Sequence, residues 1–349
     1  MNLNKIKSNS FLTFDDVNII PKYSEIESRS DVDITSKLTD TCFIKTPLVS
    51  APMDTVTETD MAYKMAEHGA VGAIHRFHDI EYHAELITNL LRTQYDNGME
   101  DYPVIASIGV TGDWKERASE LFKCGSTMFL LDVAHGHHIL VKNALEYLKS
   151  EFDISIIAGS VSTAKGAKDL QEWGADAIRF GQGNGSLCET RIRTGIGIPQ
   201  LSGLMWARSE VSIPIIADGG IRTIGDVAKA LAAGANTVML GSLLSGTLES
   251  PGPISRVGNW PNESLYKKFR GSASLDAKLD RGESKNVEGN SKIIPYKGSI
   301  DRIISDITDG LKSACSYVGA KNIKEFYENA EFVKVTAAGM LEAKPHLLH

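Results

Sequence analysis

The sequence predicts a (β/α)8 barrel, a TIM barrel of the α/β class, on three observations. Eight short apolar runs recur along the chain, amphipathic stretches of helical length separate them, and the runs start roughly 23 to 37 residues apart, enough for a helical crossover each time. Runs that stay apolar instead of alternating suit parallel strands covered on both faces. Eight strand–helix units close into a barrel. An open doubly wound sheet is the competing architecture, but the Gly-x-Gly-x-x-Gly that would open it after the first strand is absent.

In chain order, residues 1–46 read as an irregular lead-in with short strand-like pieces such as VDIT. The eight runs follow as PLVSAPM (47–53), AVGAIHR (70–76), PVIASIG (103–109), TMFLLDVA (127–134), ISIIAGSV (154–161), AIRFGQG (177–183), PIIADGG (214–220) and TVMLGS (237–242). Between the first two, TETDMAYKMAEHGA places Met61, Ala62, Met65 and Ala66 on one helical face and stops at Gly69. AKGAKDLQEWGA and TIGDVAKALAAGA repeat that plan. The eighth unit is interrupted: residues 243–299, rich in Gly, Ser, Lys, Asp and Glu, precede the helix expected from Ile300. A segment that long within a compact domain is a lid or a disordered loop. No charge block or low-complexity repeat marks a second domain, so residues 1–349 read as a single barrel domain carrying a flap. The chain after Val335 reads as a loosely held tail.

Composition limits the function. Hydrophobic content of 42% and charge of 23% are those of an ordinary globular protein with a full core. A net charge of −7 argues against a general nucleic-acid binder. The four cysteines, at 42, 124, 188 and 315, form neither a disulfide framework nor a zinc-ligand pattern. No apolar run reaches membrane-spanning length and MNLNKIKSNS lacks a signal-peptide core, so a reducing, cytoplasmic setting and no membrane partner are expected.

Functional groups of such barrels collect where the strands end. Here those positions hold Asp54, His75 and Arg76, Asp132 and His135, the loop with Cys188, Asp218, and Ser242. The loop FGQGNGSLCETRIRTGIGIPQ (180–200) has glycines at 181, 183 and 185, which let backbone approach a ligand closely. A thiol there serves as a nucleophile if its thiolate is favoured. Local composition alone leaves a surface turn with an incidental cysteine equally open. Asp218-Gly219-Gly220 and Gly241-Ser242 end the last two strands, where backbone N–H groups commonly bind phosphate. Asp218 would then hold ribose hydroxyls. A pair of tight turns explains each glycine element taken singly; two in the expected places point to a phosphorylated ligand.

These residues resemble the IMP dehydrogenase/GMP reductase family over nearly the whole chain. The likeness runs through LTFDDVNIIP (12–21), SAPMDTVTE (50–58), LDVAHGH (131–137), the glycine loop ending at Cys188, TGIGIPQ (194–200), IADGGI (216–221), VMLGS (238–242) and YVGA (317–320). The resemblance implies that Cys188 attacks C2 of a purine nucleotide to form a thioimidate. It implies phosphate binding by Ser186, Gly220, Gly241 and Ser242, ribose binding by Asp218, and further substrate contacts from Gly219, Gly271, Ser272, Ala273 and Gly289. It also implies a potassium ion on the carbonyls of Gly183, Gly185 and Cys188. Asp132, Val133, Ala134, Gln182 and Gly183 fall on the nicotinamide side, and the protein is expected to form a homotetramer.

Two activities share that intermediate. A dehydrogenase of the family hydrolyses its adduct with an Arg-Tyr pair in the flap; a reductase expels ammonia from GMP and takes hydride from NADPH. The flap here contains no Arg-Tyr dipeptide, and Glu288 stands seven residues before Pro295, the reductase spacing for a glutamate that would work with Thr190 as proton donor. SRSDVD (28–33) is also reductase-like, with Ser28 and Arg29 expected to reach cofactor adenosine, from a neighbouring subunit if the sites are shared. Arg76 is expected either at the extra phosphate of NADPH or as a plain surface arginine. SAPMDTVTE is closer to the dehydrogenase form, and Glu189 replaces the family's threonine; it is expected to point away from the thiol. The expectation is a GMP reductase acting on GMP and yielding IMP. The alternatives are an IMP dehydrogenase without the family's regulatory insertion and an inactive nucleotide-binding relative.

Overall fold

The computed structural model describes residues 10–258 and 262–343. Eight parallel strands close into a barrel: β1 (Leu48–Ser50), β2 (Val71–Ile74), β3 (Ile105–Ile108), β4 (Met128–Asp132), β5 (Ser155–Val161), β6 (Ala177–Phe180), β7 (Ile215–Asp218) and β8 (Thr237–Leu240), with β8 pairing β1. Each lies within one of the eight apolar runs. Alternate side chains explain why those runs are continuous. Met128 and Leu130 of β4 and Ile216 of β7 point into the barrel, while Phe129, Leu131, Ile215 and Ala217 point to the helix layer, and all are buried.

The helices form where the amphipathic stretches predicted them. α1 (Thr59–Glu67) buries Met61, Ala62, Met65 and Ala66. α2 (Ile80–Asp96), α3 (Trp114–Lys123), α4 (Ile139–Glu151) and α5 (Ala164–Glu172) follow β2 to β5 in turn. The sixth crossover holds a five-residue α6 (Thr190–Thr194) and α7 (Gln200–Arg208), and the seventh is α8 (Ile224–Ala232). α8 opens with a capping box, Thr223 and Asp226 each bonding the other's backbone.

The lead-in has a structural task. A hairpin of Ser36–Lys37 with Phe43–Ile44 brings Leu38 and Ile44 into the cluster that fills the barrel interior. Ser36 Oγ donates to the Asn236 carbonyl just before β8, 2.7 Å away, so the hairpin plugs the end where the strands begin. The opposite mouth is left for chemistry.

Two expectations need correcting, and the structure decides between the alternatives of a third. VDIT is not a strand; only Asp33 makes an isolated bridge, to Asn322. After the strand Phe332–Lys334, which pairs with Val17–Ile19, the chain beyond Val335 is not all loose tail: a Thr336-capped helix, Ala337–Glu342, follows, and residues 344–349 lie outside the described residues. Of the two readings of the long insertion, a lid or a disordered loop, its described residues form an ordered flap. It holds a meander of β9 (Ser255–Val257), β10 (Ser264–Arg270) and β11 (Ser291–Pro295), with α9 (Leu275–Asp280) between the last two, before α10 (Ile300–Tyr317) closes the barrel. Backbone pairing across β10 and β11 lets polar, glycine-rich sequence hold a fixed shape.

Candidate active site

A cavity of about 730 Å³ opens at the strand ends, between the β6 loop, the ends of β4, β7 and β8, and the flap. Glycine decides how its floor is built. Gly181 has φ +142°, and a Cβ there would fall 1.8 Å from the Asp218 carbonyl oxygen. Gly219, at φ +85°, lies with its missing Cβ 3.0 Å from Asn184 and the Gly185 nitrogen. The loop after β6 therefore lies directly on the end of β7, closer than any side chain allows. Gln200 pins the seam from α7, its Nε2 donating to the carbonyls of Phe180 (2.8 Å) and Asp218 (3.1 Å).

On that floor Cys188 Sγ lies 3.2 Å from Thr190 Oγ1, and Thr190 Oγ1 donates to Glu288 Oε2 at 2.8 Å. The glutamate is brought in by backbone pairing. Cys188 and Gly289 form an antiparallel bridge, Glu189 N–H donates to the Glu288 carbonyl (2.8 Å), and Asn290 N–H donates to that of Leu187 (3.0 Å). Thiol, hydroxyl and carboxylate thus stand in a line at the cavity wall, arranged for a nucleophile with a proton path beside it.

Asp132 at the end of β4 and Asp218 at the end of β7 meet through Arg179, a charged residue inside the otherwise apolar β6. Its Nε donates to Asp218 Oδ2 (2.9 Å) and its Nη1 to Asp132 Oδ1 (2.5 Å), with only 12% of the side chain exposed. Burial opposes the guanidinium charge, but the two carboxylates outweigh burial and hold it more firmly protonated than an ordinary arginine. Arg76 adds a bond from Nε to the Asp132 carbonyl (3.1 Å). Beyond it the Phe77 ring is flanked by two cations, with the Arg76 guanidinium 5.1 Å and that of Arg281 4.6 Å from the ring centre. These groups, with the main chain of Val133 and Ala134, could hold an anionic dinucleotide. Ser186, Gly220, Gly241 and Ser242 line the other side and suit a phosphate.

Nearly every candidate lines this one cavity: Cys188, Thr190, Glu288, Ser186, Asp218, Gly219, Gly220, Gly241, Ser242, Gly271, Ser272, Ala273, Gly289, Arg76, Asp132, Val133, Ala134, Gln182, Gly183 and Gly185. Ser28 and Arg29 do not. Arg29 lies over the Tyr317 ring at the end of α10, 5.7 Å from its centre, so these two do not reach the cavity of their own chain. Of the carbonyls expected to hold potassium, that of Gly185 accepts the Cys188 N–H at 3.0 Å and keeps a second lone pair for a cation.

Three strand-end residues do not line the cavity as expected. Asp54 accepts two bonds from Arg270 (3.0 and 2.7 Å), anchoring the flap to β1. His135 lies behind Gln182, whose Nε2 is 3.3 Å from its Nδ1. His75 is fully buried and turned to Glu58, 3.0 Å away, with His78 2.9 Å from the same oxygen. Phe77 N–H donates to His75 Nδ1, so the neutral ring carries its proton on Nε2, facing Glu58. Burial would raise the Glu58 pKa, but the two imidazole bonds outweigh it and lower it. The group is a hydrogen-bonded brace between β2 and the start of α1.

Sequence reasoning missed Arg179, Arg281, Lys278 and Asn286, all of which line the cavity. Only Arg179 left a signal, as a charge within a strand covered on both faces. Glu189 points away from the thiol, as expected: its carboxylate pairs with Arg193 (2.6 Å) and accepts a bond from Asn290.

The sequence profile described as IMP dehydrogenase / GMP reductase domain matches residues 11–346. An inosine-5'-monophosphate dehydrogenase of Cryptosporidium parvum is 37% identical, over 96% of this chain and 94% of that protein. One from Nitrosopumilus maritimus is 32% identical, over 96% and 98%, in an alignment of 469 residues that leaves parts of the relative without counterpart in this shorter chain. A crystal structure of a Trypanosoma brucei GMP reductase with guanosine 5'-monophosphate superposes with a TM-score of 0.91 at 27% identity, over 99% of each chain. The chain belongs to the IMP dehydrogenase/GMP reductase family, oxidoreductases that act on purine nucleotides.

Proposed function

We propose that the protein is an NADPH-dependent GMP reductase, which converts GMP to IMP with release of ammonia. The observation that carries this reading is the Thr190 hydroxyl set between the Cys188 thiol (3.2 Å) and the Glu288 carboxylate (2.8 Å). Cys188 adds through sulfur to C2 of the guanine ring. The C2–N bond then breaks, and the amino group leaves as ammonia with protons passed along Glu288 and Thr190. The thioimidate left on Cys188 has a carbon–sulfur bond at C2. NADPH, when bound, supplies the hydride that reduces C2. The C–S bond breaks as the hypoxanthine ring is restored, and the electron pair returns to Cys188 as thiolate. Asp218 is suited to the ribose hydroxyls, and Ser186, Gly220, Gly241 and Ser242 to the 5'-phosphate. The Arg76–Phe77–Arg281 group suits the anionic part of the cofactor. A potassium ion on the carbonyls of Gly183, Gly185 and Cys188, a homotetramer and a cytoplasmic setting belong to the same proposal. Among the described residues, no helix is long and apolar enough to cross a membrane.

A second reading, an IMP dehydrogenase, is favoured by the names of the curated relatives, which are dehydrogenases. It requires a water-activating group to hydrolyse the Cys188 adduct. Arg281 lines the cavity from the flap, but Gly282 follows it where the resemblance would require tyrosine. That missing partner, set against a glutamate already bonded to Thr190, favours the reductase.

Purified protein incubated with GMP and NADPH, and separately with IMP and NAD+, decides between them. NADPH consumption with ammonia release from GMP supports the first reading. NADH formation from IMP establishes the second. Nucleotide binding without turnover in either direction marks an inactive relative.

A further inference from the structure

We infer that Glu189, the residue beside the nucleophile, is a positioning residue that sets the register of the flap on the catalytic loop and so holds Glu288 against Thr190. The inference rests on the proposed use of Glu288 as proton donor. Glu288 reaches the site through a short ladder in which backbone of residues 187–189 pairs with residues 288–290. A ladder this short leaves register weakly specified by backbone alone, and a slip of one residue would turn the Glu288 side chain to the opposite face.

Glu189 supplies the missing specificity. One carboxylate oxygen is held by Arg193 of α6, through Nε (2.7 Å) and Nη2 (2.6 Å). The other accepts a hydrogen bond from the Asn290 amide, two residues beyond Glu288. Only 18% of the Glu189 side chain is exposed, so the bond is partly shielded from water and charge-assisted. Arg193 fixes Glu189 to the barrel side and Asn290 fixes the flap to Glu189. In the register where these two meet, Glu288 Oε2 falls 2.8 Å from Thr190 Oγ1.

The test is a swap of donor and acceptor across the pair. Glu189→Ala and Asn290→Asp are measured singly, and Glu189→Gln with Asn290→Asp together, since a glutamine amide facing an aspartate restores one hydrogen bond. Both single variants should lower kcat by about tenfold, the worth of one charge-assisted bond, with the KM for nucleotide nearly unchanged. The double variant should recover most of that loss relative to Asn290→Asp. Amide hydrogen exchange gives a second readout, independent of turnover: the N–H groups of Glu189 and Asn290, which donate across the ladder to the carbonyls of Glu288 and Leu187, should lose protection in the single variants and regain it in the double, while β1–β8 stay protected. Unchanged exchange and kcat in Glu189→Ala would overturn the inference, as would a double variant no better than Asn290→Asp or loss of protection spread evenly over the barrel. If the wild-type protein turns over neither substrate pair, the proposed function fails, and exchange alone still decides the role of Glu189.

Discussion

Thr190 and Glu288 are 98 positions apart in the chain and share a hydrogen bond of 2.8 Å, the hydroxyl donating to Oε2. Neither is placed by its own local sequence. The loop after β6, seated on the end of β7, carries Thr190 at the start of α6, and the flap returns over the mouth to bring Glu288 down. Replacing the acid without changing its size tests the pairing. Glu288→Gln should lower turnover by about a hundredfold or more, the range for loss of a general acid–base group, with nucleotide affinity nearly kept. Cys188→Ala should abolish the covalent adduct in mass spectra of protein mixed with nucleotide. An adduct forming at the wild-type rate in Glu288→Gln but decaying slowly would locate the fault after sulfur attack; wild-type turnover in Glu288→Gln would remove Glu288 from the mechanism.

The close seat of the loop on β7 gives a second expectation, about stability. Gly181→Ala would set a methyl group 1.8 Å from the Asp218 carbonyl oxygen at a φ of +142°, so backbone must move. Gly185→Ala meets nothing nearer than Cys188 Cβ at 3.6 Å and is its control. Gly181→Ala should lower the melting temperature and abolish activity together, while Gly185→Ala should melt near the wild-type value. Equal melting temperatures for Gly181→Ala and the wild type would show that the seam between β6 and β7 does not need the close approach.

How much of this was legible beforehand differs by element. The barrel was, because strands covered on both faces write uninterrupted apolar runs and each run met one strand. Cys188, Asp218 and Ser242 were, because their place at strand ends follows from the fold once the runs are counted. The flap's shape was not: its meander is held by backbone pairing between residues about 25 apart, which leaves little trace in composition. Asp54 and His75 show the limit of the strand-end rule, since position at a strand end does not say whether a side chain turns inward or toward a neighbouring helix. Glu189 was legible only as an oddity, and its meaning needed Asn290, a hundred residues away.

Arg179 gives a third expectation. Its guanidinium separates Asp132 from Asp218, and removing it leaves the largely buried Asp218 carboxylate without its cation and Asp132 with Arg76 alone, 3.4 Å away. Arg179→Met should cost about 3–5 kcal/mol of unfolding free energy, the typical loss on breaking a buried ion pair from one side, measured by urea denaturation. Adding Asp218→Asn should return part of that loss by removing the stranded charge. If the double variant is no more stable than Arg179→Met, the cost comes from packing and not from charge.

His83 sets the pH dependence. Its ring is buried on α2, and Arg117 Nη1 lies 3.2 Å from Nδ1. A guanidinium only donates, so Nδ1 accepts, and the protonated Nε2 is buried without a hydrogen-bond partner. Burial first, then the charge of Arg117 and the nearby His75 and His78, hold its pKa well below the ordinary histidine value. In the unfolded chain the ring takes up a proton near pH 6.5, while in the native protein it stays neutral. Below that pH the unfolded state therefore binds more protons, and stability falls as pH drops, by up to about 1.4 kcal/mol per pH unit for this one group. Above it the contribution is constant and fully present. His83→Gln has no proton to gain, so the stability gap between wild type and variant should be constant above neutrality and shrink as pH falls from about 6.5 toward about 5.5. Glu58, Asp79, Asp113 and the two neighbouring histidines are common to both proteins, so to first order their titration cancels in the difference. Urea unfolding curves at matched pH values give that difference directly, and two stability profiles running parallel through this range would show that His83 is not held neutral in the native state.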